Sequence, residues 1–78
     1  MTKTNKKDVV VVAVGEGILI LKATAKNIQK VAYHRVGKRF YDNVRYFKGN
    51  SVILSNLSSF DIDVFDFTRN FLTQTLKF

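Results

Sequence analysis

Five valines and an alanine fill positions 9–14, and Gly15-Glu16-Gly17 closes the run at once. β-Branched side chains suit a pleated surface and crowd the turns of a helix. Six residues are too few for a stable helix, and two glycines supply the positive-φ positions of a tight turn. The apolar stretch that follows, residues 18–22, reads as the returning strand of a hairpin. This hairpin constrains the fold more than any other stretch of the chain.

A chain of 78 residues has room for one domain with one modest core. Its 46% hydrophobic fraction is ordinary for a globular protein and argues against disorder. Cysteine is absent, which excludes a disulfide scaffold, thiolate metal sites and thiol catalysis, and which fits a reducing cytoplasm. No apolar run approaches the roughly 20 residues that a membrane-spanning helix needs. The expectation is a cytoplasmic protein. A domain this small without covalent staples is commonly supported by oligomerisation.

Beyond the hairpin, Thr24 is placed as an N-cap, and Ile28, Val31, Ala32, Arg35 and Val36 recur at three- and four-residue spacing. Gly37 falls where a helix C-cap belongs. These positions predict an amphipathic helix over residues 25–36, with Lys26, Lys30, Tyr33 and His34 on its polar side. Residues 40–47 read as extended, followed by a Lys48-Gly49-Asn50 turn and a strand over 51–54. Ser58 or Ser59 then caps a second helix, with Asp61 and Asp63 near its first turn. Phe60, Val64, Phe67 and Phe71 form its apolar stripe, although residues 60–64 also alternate as a strand would.

The fold expected from these elements is α+β, in ββαββα order, with an antiparallel sheet carrying both helices on one face. Residues 1–7 form a flexible basic arm and residues 8–78 one domain. An offset of 34 residues overlays 8–37 on 42–71 as a pseudo-repeat, with Gly15 on Gly49 and Thr24 on Ser58. One alternate set of residues in the first hairpin would face water. A homodimer formed through residues 9–21 would cover it.

The net charge of +7 is unevenly spread. Residues 22–48 hold eight of the thirteen cationic side chains against one acid, Asp42. Excess positive charge confined to part of a small domain attracts polyanions, and aromatic rings beside it can stack on unpaired bases. Lys22, Lys26, Lys30, Arg35, Lys38, Arg39, Arg45 and Lys48 are the candidate phosphate contacts. Tyr33, His34 and Tyr41 are the candidates for contacts beside them, while Phe40, Tyr46 and Phe47 are expected in the core. RNA or single-stranded nucleic acid is favoured over duplex DNA, because aromatics interleave the charge and no recognition helix is apparent.

Catalytic constellations are missing from the sequence. His34 is the single histidine, without an acid or nucleophile placed to work with it. The serines occupy turn, strand-end and cap positions. Asp61, Asp63 and Asp66 lack the glycine turn and terminal glutamate of a calcium loop. Gly15-Glu16-Gly17 leads into a strand, not into the helix N-terminus that a dinucleotide loop requires. The expectation is a protein that is not an enzyme and that needs no metal or cofactor.

Very short, rich in Lys, Asn and Phe, and free of Pro, Cys and Trp, the chain resembles the small accessory proteins of tailed bacteriophages. The resemblance implies a host-takeover or counter-defence role in the host cytoplasm. In that alternative, the basic patch blocks a host toxin, nuclease or defence component, alone or with its RNA. Asp63-Val64-Phe65-Asp66-Phe67 also resembles the acidic-aromatic peptides with which phage replication proteins dock onto a sliding clamp. Here the string is internal, and its aromatics are better used in a core.

Overall fold

A computed structural model describes residues 1–56, 58 and 60–77. The chain runs through β1 (Thr2–Lys3), β2 (Val9–Val14), β3 (Gly17–Ala23), β4 (Ile28–Arg35), β5 (Asn43–Lys48), β6 (Ser51–Ser55), β7 (Ile62–Asp66) and β8 (Phe71–Leu76). The strands form two four-stranded antiparallel sheets, each paired in chain order. Sheet A is β1-β2-β3-β4 and sheet B is β5-β6-β7-β8. Among the described residues there is no helix, so the α+β fold in ββαββα order is overturned in favour of an all-β one.

The first hairpin forms as its sequence requires. Val11 pairs with Ile20 and Ala13 with Ile18, and these side chains face inward. Gly15 takes the positive φ of +56° at the tip. Gly17 serves a different need, close approach. A side chain there would collide with the His34 carbonyl and lie 2.8 Å from the Tyr33 hydroxyl.

Residues 25–36 form strand β4 and the tip before it. Thr24 Oγ1 accepts the Asn27 N–H at 3.2 Å, the bond expected of an N-cap, but here it closes a hairpin loop. The Thr24 N–H also donates to the Asn27 carbonyl at 2.8 Å. The register shifts where Ile20 faces Ala32 and Leu21 faces Lys30, leaving Val31 as the extra residue of a β-bulge. One extra residue in a strand puts apolar positions three apart and then adjacent, which imitates a helical stripe. The true period is two: Ala32 and His34 turn inward, Tyr33 and Arg35 outward.

The second expected helix is the β7–β8 hairpin. Asp66 Oδ1 accepts the Thr68 and Arg69 N–H groups at 2.9 and 3.0 Å and the Thr68 hydroxyl at 2.8 Å. Asn70 takes a positive φ of 55°. Such an Asx turn followed by a left-handed Asn reverses the chain where a helix would continue. A second bulge, at Thr73, again spoils the alternation. The predicted stripe divides accordingly: Val64 and Phe67 are buried, Phe60 and Phe71 exposed. Ser58 lies in a turn, and Ser59 lies outside the described residues.

One core joins both sheets. Val11, Ile18 and Ile20 from sheet A meet Val44, Val52, Leu54 and Phe65 from sheet B, with Tyr41 and Phe67 beside them. Residues 36–42 cross between the sheets and wrap the first hairpin tip. The Val36 and Gly37 N–H groups donate to the Glu16 carbonyl, and the Tyr41 N–H to that of Gly15 at 2.7 Å. The expected basic arm is drawn into the fold, since Lys3 pairs with Val10 and Thr2 Oγ1 accepts the Tyr46 N–H at 3.0 Å. Moving 34 residues along the chain carries the first residues of β2, β3 and β4 onto those of β5, β6 and β7. Each half is thus a three-stranded meander where ββα was expected.

Candidate polyanion-binding surface

Hairpin topology gathers lysines from distant parts of the sequence at one end of sheet A. Lys3, Val10, Leu21 and Lys30 form one rung across the four strands, their side chains on the outer face. Lys22 follows one rung later, Lys26 lies in the β3–β4 tip, and Lys6 and Lys7 lie in the β1–β2 turn. All six side chains are exposed. Beside them the β1–β2 turn borders a cleft of about 380 Å³ lined by Lys3, Lys6, Lys7, Asp8 and Ala23. Thr4 fixes this turn, accepting the Lys6 N–H at 3.1 Å and donating to the Val9 carbonyl at 3.0 Å.

The fold treats the cations unequally. Arg35 reaches Glu16 at 2.8 Å, Arg39 reaches Asp61 and Asp63 at 3.1 Å each, and Arg69 lies 4.0 Å from Asp66. Lys38 donates to Thr75 Oγ1 at 2.6 Å and sits 3.8 Å from Asp63. None of the six lysines at the end of sheet A forms an ion pair with a described residue. Positive charge is paired around the crossover, while the lysine end gathers six unpaired ammonium groups around Asp8 alone; Arg45, Lys48 and Lys77 stand apart from both, without an ion pair to a described residue.

The sequence-predicted residues are therefore divided. Lys22, Lys26 and Lys30 come to one end of sheet A, on a hairpin and not on a helix, with Lys22 on the face opposite Lys30. Arg35, Lys38 and Arg39 lie toward the opposite end, engaged with carboxylates or a hydroxyl. Arg45 stands on the outer face of sheet B, and Lys48 lies over the Phe47 ring, 5.3 Å from its centroid. Tyr33 is exposed on the outer face of sheet A, as a stacking residue must be. His34 faces inward, its Nε2–H donating to the Phe67 carbonyl at 3.1 Å, which removes it from the basic surface. Phe40 and Phe47, expected in the core, are 66% and 48% exposed.

Tyr41 is the clearest reversal, since it is buried and cannot meet a nucleic acid. Its hydroxyl donates to Asp63 Oδ2 at 2.5 Å. Asp63, itself fully buried, also accepts the Thr75 hydroxyl at 2.7 Å. Burial, and then the bond to Asp63, push the Tyr41 hydroxyl well above its ordinary value. The hydrogen bond to Asp61, against the cost of burial, raises Arg39 as well. These bonds tie Tyr41 and Arg39 of the crossover to Asp61, beside β7, and Asp63, on it, and so hold the crossover onto sheet B. The acidic-aromatic string at residues 63–67 is likewise spent on the fold, with Asp63, Phe65 and Phe67 all buried.

Lys3, Lys6 and Lys7 are the members that sequence reasoning missed. Reading Asp8 as a turn residue would have found them, because a strand before it brings them beside Lys22 and Lys30. Asp8 indeed takes a positive φ of 63°, and its carbonyl accepts the Ala23 N–H at 2.7 Å. Among the described residues no three His, Cys, Asp or Glu side chains gather as metal ligands, and no helix is long and apolar enough to cross a membrane.

Fold and charge together define a small all-β protein of two antiparallel meanders with one lysine-rich end. Compared with known protein families, curated proteins and solved structures, the chain matches none.

Proposed function

We propose that this protein binds nucleic acid through the lysine end of sheet A, with RNA or single strands as the preferred ligand. The observation that carries this reading is the set of six exposed ammonium groups, none of which forms an ion pair with a described residue although Asp8 lies beside three of them. Lysines act as point charges on phosphates and lack the planar fork with which arginine reads guanine. Binding of this kind follows the backbone and is indifferent to sequence. Lysines of this kind track the backbone of a flexible single strand as readily as that of a duplex, and among the described residues there is no helix to enter a duplex groove.

The reading includes a homodimer. Val10, Val12, Leu19 and Leu21 lie half-buried on the outer face of sheet A, with Val14 more exposed and no strand of the described residues over them. Two such faces can stack about a two-fold axis perpendicular to the strands. The lysine end of each protomer then lies over the Glu16 tip of its partner, whereas the other two-fold arrangement sets lysines against lysines. The same apolar face, rimmed by Lys3 and Lys30, also favours the second reading, an inhibitor that docks onto an acidic host protein.

Titration of single-stranded RNA, single-stranded DNA and duplex DNA across a salt series tests the proposal. Six neutralised phosphates give a log–log slope of about −4 on single strands. Replacing Lys22, Lys26 and Lys30 by Glu should abolish binding while leaving the far-ultraviolet circular dichroism unchanged. A folded triple variant with undiminished affinity refutes it. Capture of a protein partner that survives nuclease treatment would move the assignment to the second reading.

A further inference from the structure

Where the inner face of sheet A meets the β7–β8 turn, a second groove opens, about 220 Å³ in volume. Val9, Ile20, Val31, Ala32 and Phe67 make its apolar walls, and His34 also lines it. The bulge in β4 is what turns Val31 into this groove, and Val31 remains 59% exposed there. An apolar side chain held open at a groove mouth is available to a ligand.

Two polar features say what that ligand is. A carbonyl oxygen only accepts, so the His34 ring must carry its proton on Nε2 to bond Phe67. In the neutral ring Nδ1 is then an acceptor, and it bonds no described residue. At the rim stands Lys6, which belongs both to this groove and to the lysine cluster. A ligand seated here is flat or compact and apolar in body, offers an N–H to Nδ1, and carries an anion within reach of Lys6.

We propose that the groove takes one unstacked nucleobase of a strand whose phosphates run along the lysine end, an inference that rests on the nucleic-acid reading above. The aliphatic walls accept the π-face of any base, and Nδ1 favours bases with an amino or imino N–H directed toward it. Phosphate contacts alone would not distinguish a strand with bases from one without.

The experiment compares a ten-nucleotide single-stranded DNA with an abasic sugar–phosphate strand of equal length and charge. Wild-type protein should bind the base-bearing strand about tenfold more tightly, the scale of removing about 55 Å² of apolar surface from water. Ala32→Leu, which fills the groove, should reduce that preference to near unity without changing affinity for the abasic strand. Should Ala32→Leu fail to fold, Val31→Ser at the exposed wall decides the matter, with a preference reduced about threefold expected from partial loss of the apolar wall. Equal wild-type affinity for both strands overturns the groove assignment and leaves the phosphate reading intact. Failure to bind either strand at low salt overturns both.

Discussion

Replacing Tyr41 by Phe removes one O–H group and almost no volume, so its effect isolates the hydrogen bond to Asp63. That carboxylate is 0% exposed, and water cannot stand in for the missing donor. Thr75 and Arg39 remain at 2.7 and 3.1 Å, which keeps the charge partly satisfied. Leaving a buried acceptor one partner short costs about 1–3 kcal/mol. In a domain of this size each kcal/mol shifts the melting temperature by about 4–8 °C, so a cost of about 2 kcal/mol lowers it by roughly 8–16 °C. Tyr46→Phe is the control, because its hydroxyl bonds the Gly49 carbonyl at an exposed turn and should cost less than about 1 kcal/mol. Thermal melts and urea titrations of the two variants make the comparison. The pH dependence is a second readout. Unfolded tyrosine ionises near pH 10, whereas folded Tyr41 holds its proton above that. The stabilisation is therefore complete below about pH 10 and is lost above it, at up to about 1.4 kcal/mol per pH unit, a limb that Tyr41→Phe should flatten. If Tyr41→Phe melts within about 2 °C of wild type, a shift equivalent to well under 1 kcal/mol, the cluster does not hold the crossover and the reasoning fails.

Gly17→Ala should destabilise by about 1–3 kcal/mol in urea titration, because the added methyl meets the backbone of β4, which cannot swing aside as a side chain would. Asp66→Ala should cost about 1–2 kcal/mol by removing three hydrogen bonds from the β7–β8 turn. Burial opposes ionisation of Asp66, but hydrogen bonds from Arg69 and Thr68 outweigh it and hold the carboxyl below its usual range. Its contribution is accordingly present above about pH 4 and lost as the pH falls further, a loss that acid melts of Asp66→Ala should no longer show. Val12→Lys, on the outer face of sheet A, should convert the proposed dimer to a monomer in sedimentation equilibrium, and an unaltered dimer would place the interface elsewhere.

Much of the chain's turn chemistry was readable from the sequence. The first hairpin followed from its valine run and glycines, and the Lys48-Gly49-Asn50 reversal from its composition; Gly49 takes the same positive φ as Gly15. The two helices were misread because their signals have more than one structural meaning. A threonine that accepts an N–H three residues on is as good for closing a hairpin at Asn27 as for starting a helix. Bulges at Val31 and Thr73 give strands a spacing that mimics 3.6, and only the partner strand reveals the extra residue. Asp66 and Asn70 carried a usable turn signal, overshadowed by the phenylalanine stripe. For the surface, Lys22, Lys26 and Lys30 could be singled out by charge density alone. Which cations are already neutralised could not, because Arg39 meets Asp61 and Asp63 only after the crossover has folded.

Strict chain-order pairing within each sheet has a consequence for how the protein is made. Every ladder in sheet A is a hairpin between neighbours, able to close once Arg35 has left the ribosome and without any residue of sheet B. Such local closure favours early formation over the slow long-range pairing of many β proteins. During synthesis, however, sheet A would carry Val11, Ile18 and Ile20 on an inner face with no second sheet to meet it. The interval between the two meanders is thus the point at which the nascent chain is most open to aggregation or to a chaperone.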